Sequence, residues 1–148
     1  MTQNQVVGKK SFGIAGRSYK RCQTMNFSML NEKNLNKTQI VRLILNKDSE
    51  QALAMLANHY SVTIPNLKVG LPKGHRQRAF GCYTPKNQTI SVLDSDTLAN
   101  PFVILHEFYH HLRSKSVDKK HRGTEKNADR FAAEFLRQFQ DSNRNMTS

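Results

Sequence analysis

The run His-Glu-Phe-Tyr-His at residues 106–110 constrains the fold most, because it has the pattern H-E-x-x-H. Residues four apart lie one turn apart on the same face of an α-helix, so His106 and His110 can direct two imidazoles at one point. This is a zinc-binding arrangement, and Glu107 then lies beside the metal, where a general base acts on a water. The run therefore predicts a helix with His106 and His110 as zinc ligands and Glu107 as the catalytic residue.

The residues around the motif favour a buried helix. Positions 101–105 and 108–109 carry no charge. Asn100 is a good N-cap, and Pro101 suits the first helical position. Burial of a polar side chain costs free energy unless the side chain forms a hydrogen bond or binds a metal. We therefore expect the two histidines to bind metal rather than only to form hydrogen bonds or reach solvent.

A zinc site needs a third protein ligand, and the sequence offers two candidates. Glu125 extends the buried face of a second predicted helix, which Thr124 can cap. Its alternative role is a first-turn carboxylate favoured by the helix dipole. His121 competes, because imidazole is an equally good ligand and its loop is adaptable. We expect Glu125 to be the ligand. The apolar face of this helix comprises Ala128, Phe131, Ala132, Phe135, Leu136 and Phe139.

Two further observations refine the predicted site. Asp129 follows Glu125 by four residues and is expected to accept the ring N–H of a ligating histidine. The longer pattern H-E-x-x-H-x-x-G-x-x-H is excluded, since Arg113 stands at its glycine and Ser116 at its third histidine. The predicted metal set is therefore His106, His110 and Glu125.

H-E-x-x-H followed by E-x-x-x-D is similar to the pattern of the gluzincin metallopeptidases. The local run at residues 125–132 resembles the ImmA/IrrE-type zinc peptidases, and so do the segments at 81–85 and 90–92. The resemblance covers about residues 50–137. The chain departs from the family in having Phe108 and Tyr109 where small residues are common, and it shows no DNA-binding helix-turn-helix.

The resemblance implies a zincin-like fold, Zn²⁺ as cofactor and hydrolysis of peptide bonds in a protein or peptide partner such as a regulator. Glu107 would take a proton from the attacking water and pass it to the leaving amine. A second donor to the oxyanion is expected. His75, Tyr83 and His111 are candidates, although each also has an ordinary structural or surface role open to it.

Composition indicates one domain with a basic extension. The chain has 148 residues, a net charge of +12 and a mean hydropathy of -0.65. Residues 1–36 hold six Lys and Arg against one acidic residue. We interpret them as a flexible arm, which is either an electrostatic contact for nucleic acid or an acidic partner, or a solubilising tail. Residues 37–148 are then the zincin-like catalytic domain.

Cysteine usage and hydropathy predict a cytoplasmic protein without a membrane partner. The two cysteines, Cys22 and Cys82, form no CxxC pair, which fits a reducing compartment. No apolar stretch reaches the length of a membrane span or of a signal core. Alternative functions are a basic nucleic-acid-binding protein, and a DNA-associated SprT-like protease with His121 as third ligand. An inactive fold with structural zinc is disfavoured, because such a site does not need Glu107.

The remaining patterns predict an α+β fold, with a small sheet packed on helices. Residues 38–46 fit a short helix capped by Thr38 or a buried strand, and residues 50–60 fit a helix. Residues 62–71 are expected to be extended. Two strands are predicted at 79–83 and 89–92, before the metal helix. An edge strand beside the metal can pair with an extended peptide.

Overall fold

The computed structural model describes residues 35–74, 79–117 and 124–147. Most of the predicted arm, as well as His75 and His121, lies outside these residues. Within them the chain has four α-helices and three β-strands, which confirms the α+β class. In chain order these are α1 (Lys37–Leu45), α2 (Ser49–Tyr60), β1 (Asn66–Val69), β2 (Gly81–Thr84), β3 (Thr89–Val92), α3 (Pro101–Ser114) and α4 (Thr124–Met146).

Helix α1 settles the choice between helix and strand for residues 38–46. Asn36, and not Thr38, is its N-cap, and the Asn36 side chain accepts a hydrogen bond from the Gln39 N–H at 3.0 Å. The helix buries four aliphatic side chains and packs against α2 and α4. Packing therefore decides what the short hydrophobic run leaves open.

Helix α3 begins as predicted. The Asn100 side chain accepts hydrogen bonds from the N–H groups of Phe102 and Val103, and Pro101 is the first helical residue. The helix packs against α4 on one side and against β2 and β3 on another. Helix α4 begins at Thr124, so this residue lies inside the helix rather than at the cap before it.

The described strands form a mixed sheet in the order β1-β3-β2. Strand β1 is parallel to β3, and β2 is antiparallel to β3. Strand β3 has the predicted bounds, and all four of its residues are buried. Strand β1 occupies only part of the predicted extended segment, because Pro65 precedes it and Gly70, with a φ of 106°, follows it. Strand β2 begins two residues later than predicted and lies at an edge of this sheet.

The large residues inside the motif fill the core. Phe108 is fully buried, and its ring centroid lies 6.2 Å from that of Tyr60. Tyr109 is also buried, and its ring lies 5.6 Å from that of Phe131 on α4. These rings therefore hold α3 against α2 and α4. None of the described helices is long and apolar enough to cross a membrane.

Candidate metal centre

Three side chains from two helices converge at one point. His106 and His110 lie one turn apart on α3, and Glu125 comes from the first turn of α4. The Nε2 atoms of the two histidines are 3.3 Å apart. One Glu125 carboxylate oxygen lies 3.2 Å from the His106 Nε2, and the other lies 3.1 Å from the His110 Nε2. The structure therefore brings together the three predicted metal ligands.

The spacing of these atoms fits zinc. Ligands at about 2.0–2.1 Å from a tetrahedral zinc ion lie about 3.3 Å from one another by simple geometry. The two Nε2 atoms are separated by close to this value, at 3.3 Å. Each imidazole faces a different oxygen of Glu125, and one ligand atom from each of the three residues lies within 4.8 Å of the other two. Two imidazoles and one carboxylate also match the ligand types of zinc hydrolases, which leave a fourth position open. The Glu125 side chain is 76% exposed, so the site is accessible from solvent.

Asp129 orients one of the two imidazoles. Its Oδ1 lies 2.9 Å from the His106 Nδ1, one turn along α4 from Glu125. A carboxylate at this place accepts the Nδ1–H, which leaves the lone pair of Nε2 on the side of His110 and Glu125. The contact predicted from the four-residue spacing is therefore present.

The electrostatic surroundings of His110 favour its neutral form. Burial lowers the pKa of His110, and His106 and Arg113 act in the same direction, against the raising effects of Glu125 and Asp129. Only the neutral imidazole has the lone pair that binds a metal. A metal ion therefore competes with few protons at this residue near neutral pH.

Glu107 lies beside this cluster, between α3 and β2. It is 8% exposed. The pKa of Glu107 is raised to about 7, and burial is the largest cause of this shift. His106 lowers the pKa, Glu125 raises it, and a hydrogen bond from the Tyr83 N–H lowers it. A divalent cation at the cluster would lower this raised pKa, because a nearby positive charge favours the ionised carboxyl. Glu107 is therefore placed to accept and release a proton beside the cluster.

Gly81 allows this close approach of β2 to α3. A Cβ atom at Gly81 would lie 2.7 Å from the Val103 Cγ1 and 3.0 Å from the Glu107 Cγ. Both separations are shorter than ordinary carbon contacts, so only glycine fits here without displacement. This requirement comes from tertiary packing and has no signal in the sequence pattern.

A cleft of about 630 Å³ opens beside the cluster. Strand β2 forms one wall, and α3 with the start of α4 forms the other. Arg113, three residues after His110, lies in the lining and was not predicted as a site residue, although its i, i+3 spacing offers the signal. Cys82 also lines the cleft, and burial, followed by the charge of Glu107, raises the pKa of its thiol. The lining residues are Gly81, Cys82, Tyr83, Pro85, His106, Glu107, His110, Arg113, Ser114, Thr124 and Glu125.

His111 and Tyr83 form a separate hydrogen-bonded pair. His111 is fully buried, and its Nε2 lies 2.7 Å from the Thr63 carbonyl oxygen, which can only accept. Burial lowers the pKa of His111, which favours the neutral ring. With the ring proton on Nε2, the Nδ1 accepts from the Tyr83 hydroxyl at 2.8 Å. His111 therefore bonds away from the cluster. In these bonds the His111 ring N–H donates to Thr63 and the Tyr83 hydroxyl donates to His111, so neither proton is donated to the cluster. The third oxyanion candidate, His75, lies outside the described residues.

The basic charge lies mainly outside the described residues. These residues contain twelve Lys and Arg against nine Asp and Glu, whereas the whole chain has 23 against 11. The described part is therefore nearly balanced. Binding to nucleic acid through a basic surface remains a prediction about the segments at 1–34, 75–78 and 118–123.

Comparison of this chain with protein-family models, with curated proteins and with solved structures finds no match. The resemblance to ImmA/IrrE-type peptidases therefore rests on the motifs themselves.

Proposed function

We propose that this protein is a zinc-dependent metallopeptidase with a zincin-like domain that hydrolyses peptide bonds in a protein or peptide partner. One observation carries the proposal. The imidazoles of His106 and His110 and the carboxylate of Glu125 converge at 3.1–3.3 Å, directly beside the buried Glu107. A structural zinc site is normally closed by four protein ligands and has no need of an adjacent base.

The ligand roles follow from donor chemistry. His106 and His110 would each bind zinc through Nε2, and Glu125 through its carboxylate. Asp129 would hold the His106 ring in the required tautomer. When bound, zinc supplies Lewis acidity, which makes a water more acidic and polarises a substrate carbonyl.

Glu107 would do the proton transfer. Its carboxylate accepts a proton from the attacking water and then delivers it to the leaving amine. The Tyr83 N–H donates to this carboxylate and so holds it against β2. Burial favours the protonated form of Glu107, whereas the cation favours the ionised form, and this balance suits a group that must carry a proton in both directions.

The cleft is suited to an extended peptide. Strand β2 lies at an edge of the described sheet and lines the cleft with Gly81, Cys82 and Tyr83. The backbone of such a strand can pair with a substrate in extended conformation, and main-chain hydrogen bonds then fix the scissile bond near the ligands. A folded partner such as a regulator would need an exposed or locally unfolded segment.

The test is Glu107→Gln, which keeps the size of the side chain but removes the carboxylate base. The variant should bind zinc and fold like the wild type, and it should lose hydrolysis by about 100- to 10,000-fold. Glu134→Gln is the matched control. Glu134 lies on α4, nine residues after Glu125, and its carboxylate pairs with Lys37. This control should cleave normally.

Unfolded casein, self-cleavage and co-expressed regulators are the starting substrates. Undiminished hydrolysis in Glu107→Gln would refute the role of this residue. If no substrate is cleaved, binding of a zinc-directed hydroxamate tests the open coordination position instead. Failure of the zinc-loaded protein to bind hydroxamate would contradict the proposal.

A further inference from the structure

A partly buried hydrogen-bonded chain connects the segment before β1 to Glu107. The His111 Nε2–H donates to the Thr63 carbonyl at 2.7 Å, and the His111 Nδ1 accepts from the Tyr83 hydroxyl at 2.8 Å. The rings of Tyr83 and His111 also meet edge to face, with centroids 5.4 Å apart. From Tyr83 the chain continues through the backbone, because the Tyr83 N–H donates to the Glu107 carboxylate.

Tyr83 therefore holds two groups at once. Its side chain joins β2 to His111 on α3, and its backbone N–H joins the same strand to Glu107, one turn earlier on that helix. Strand β2 is paired with β3 on only one side among the described strands. Its position relative to α3 therefore depends on contacts such as the Tyr83 hydroxyl. A shift of β2 would move the N–H that holds the Glu107 carboxylate.

We propose that His111 is a positioning residue, which acts through Tyr83 and strand β2 to hold the carboxylate of Glu107 toward the cluster of His106, His110 and Glu125. The proposal rests on the function proposed above, in which Glu107 transfers the proton. It gives adjacent histidines different tasks, since His110 faces the cluster and His111 bonds to the sheet.

The chemistry of the site supports this role over simple packing. A fully buried imidazole loses its hydration, and an aromatic hydrocarbon would fill the same space without that cost. Burial is tolerated because both ring nitrogens have partners, one a carbonyl and the other a hydroxyl. The two bonds differ in what they join. The bond to Thr63 fixes the ring, whereas the bond to Tyr83 connects the ring to β2.

Two substitutions separate these bonds. In His111→Gln the amide reaches the position of Nε2 and can still donate to Thr63, but it leaves Tyr83 without its acceptor. In His111→Asn the side-chain oxygen reaches the position of Nδ1 and can accept from Tyr83, but the bond to Thr63 is lost. Tyr83→Phe removes the hydroxyl itself and should behave like His111→Gln.

Ser114 offers a second acceptor to Tyr83, because its hydroxyl oxygen lies 3.0 Å from that of Tyr83 and can accept the Tyr83 hydroxyl proton in place of His111. All variants are therefore made in a Ser114→Ala background. Ser142→Ala serves as the distant control, since it removes a 3.1 Å hydrogen bond to Thr38 between α1 and α4. Global stability is measured for each protein by chemical denaturation.

The decisive readout is hydrogen exchange of the Tyr83 backbone amide. Loss of a partner from a buried polar group corresponds to about a 5- to 150-fold change in a local equilibrium. We expect exchange at Tyr83 to accelerate by such a factor in His111→Gln and Tyr83→Phe, and to change by less than about threefold in His111→Asn. With a cleaved peptide, kcat should fall in the same order, while every variant retains one zinc.

A purely structural role would rank the variants by global stability rather than by which ring nitrogen they replace. The proposal is overturned if Tyr83 exchange is unchanged in His111→Gln, or if it follows the free energy of unfolding in all variants, Ser142→Ala included. The hydrogen-bonded chain contains no metal ligand, so this order can be measured even in a protein that binds no zinc. Zinc content then tests the proposed function separately.

Discussion

Gly81→Ala should damage the site through one added methyl group. Gly81 lies where β2 approaches α3, and its backbone does not have the positive φ that would itself favour glycine. The added Cβ would lie 2.7 Å from the Val103 Cγ1, 3.0 Å from the Glu107 Cγ and 3.3 Å from the Glu107 Oε1. Relief of these contacts requires β2 to move outward, or Val103 and Glu107 to move away.

The magnitude follows from the cost of overpacking. Insertion of one methyl group into a well-packed interior costs about 1–3 kcal/mol. Val103 is a buried residue on a well-packed helix, so it yields little space. Part of the displacement falls on Glu107, and hydrolysis should therefore decline while His106, His110 and Glu125 still bind zinc.

A double-mutant cycle identifies the contact. Chemical denaturation of the zinc-free proteins should show Gly81→Ala destabilised by about 1–3 kcal/mol. Val103→Ala alone should cost about 1.5–2.5 kcal/mol for the two carbons removed. The double variant should be less destabilised than the sum, by about 0.5–3 kcal/mol, because the second change makes room for the first.

The reasoning is refuted if Gly81→Ala lies within about 0.5 kcal/mol of the wild type, which is the range of an ordinary surface substitution. Strict additivity of the cycle would also contradict it, since the added methyl group would then not be meeting Val103.

Two further predictions concern carboxylates. Asp129→Ala should weaken zinc binding by about 10- to 100-fold in a competition with a chelator, because the His106 ring loses its partner, whereas Asp141→Ala should not. Hydrogen bonds from the Thr97 hydroxyl and then from its N–H lower the pKa of Asp94 from its usual 3.8. A lowered pKa in the folded state stabilises the fold above the unfolded value, and the effect is lost as pH falls through the folded value. The stability advantage of the wild type over Asp94→Ala, measured by denaturation, should therefore narrow below about pH 4. A constant difference down to pH 2 would contradict this.

Local signals account for what could be predicted from the sequence. The start of α3 follows from Asn100 and Pro101, whose side chains determine a helix terminus without help from the rest of the chain. The meeting of Glu125 with the motif follows from periodicity, because that residue continues the apolar face of α4. The ligand roles themselves remain predictions.

Other features depend on contacts between distant segments. Residues 37–45 form a helix because their apolar side chains pack against α2 and α4, and Asn36 then caps that helix in place of Thr38. The hydrogen bond between His111 and Thr63 joins residues 48 positions apart in the sequence, and no rule of residue spacing predicts it. The sequence pattern also gives no signal for Gly81. A side chain is excluded at this position only because α3 lies so close to it.

The central claim is that His106, His110 and Glu125 bind one zinc ion. Anomalous diffraction at the zinc absorption edge, from crystals of the zinc-loaded protein, tests it most directly. The account predicts one peak per chain, about 2.0–2.2 Å from the His106 Nε2, the His110 Nε2 and a Glu125 carboxylate oxygen. Absence of a peak at this cluster, or a peak bound by His121 in place of Glu125, would contradict it.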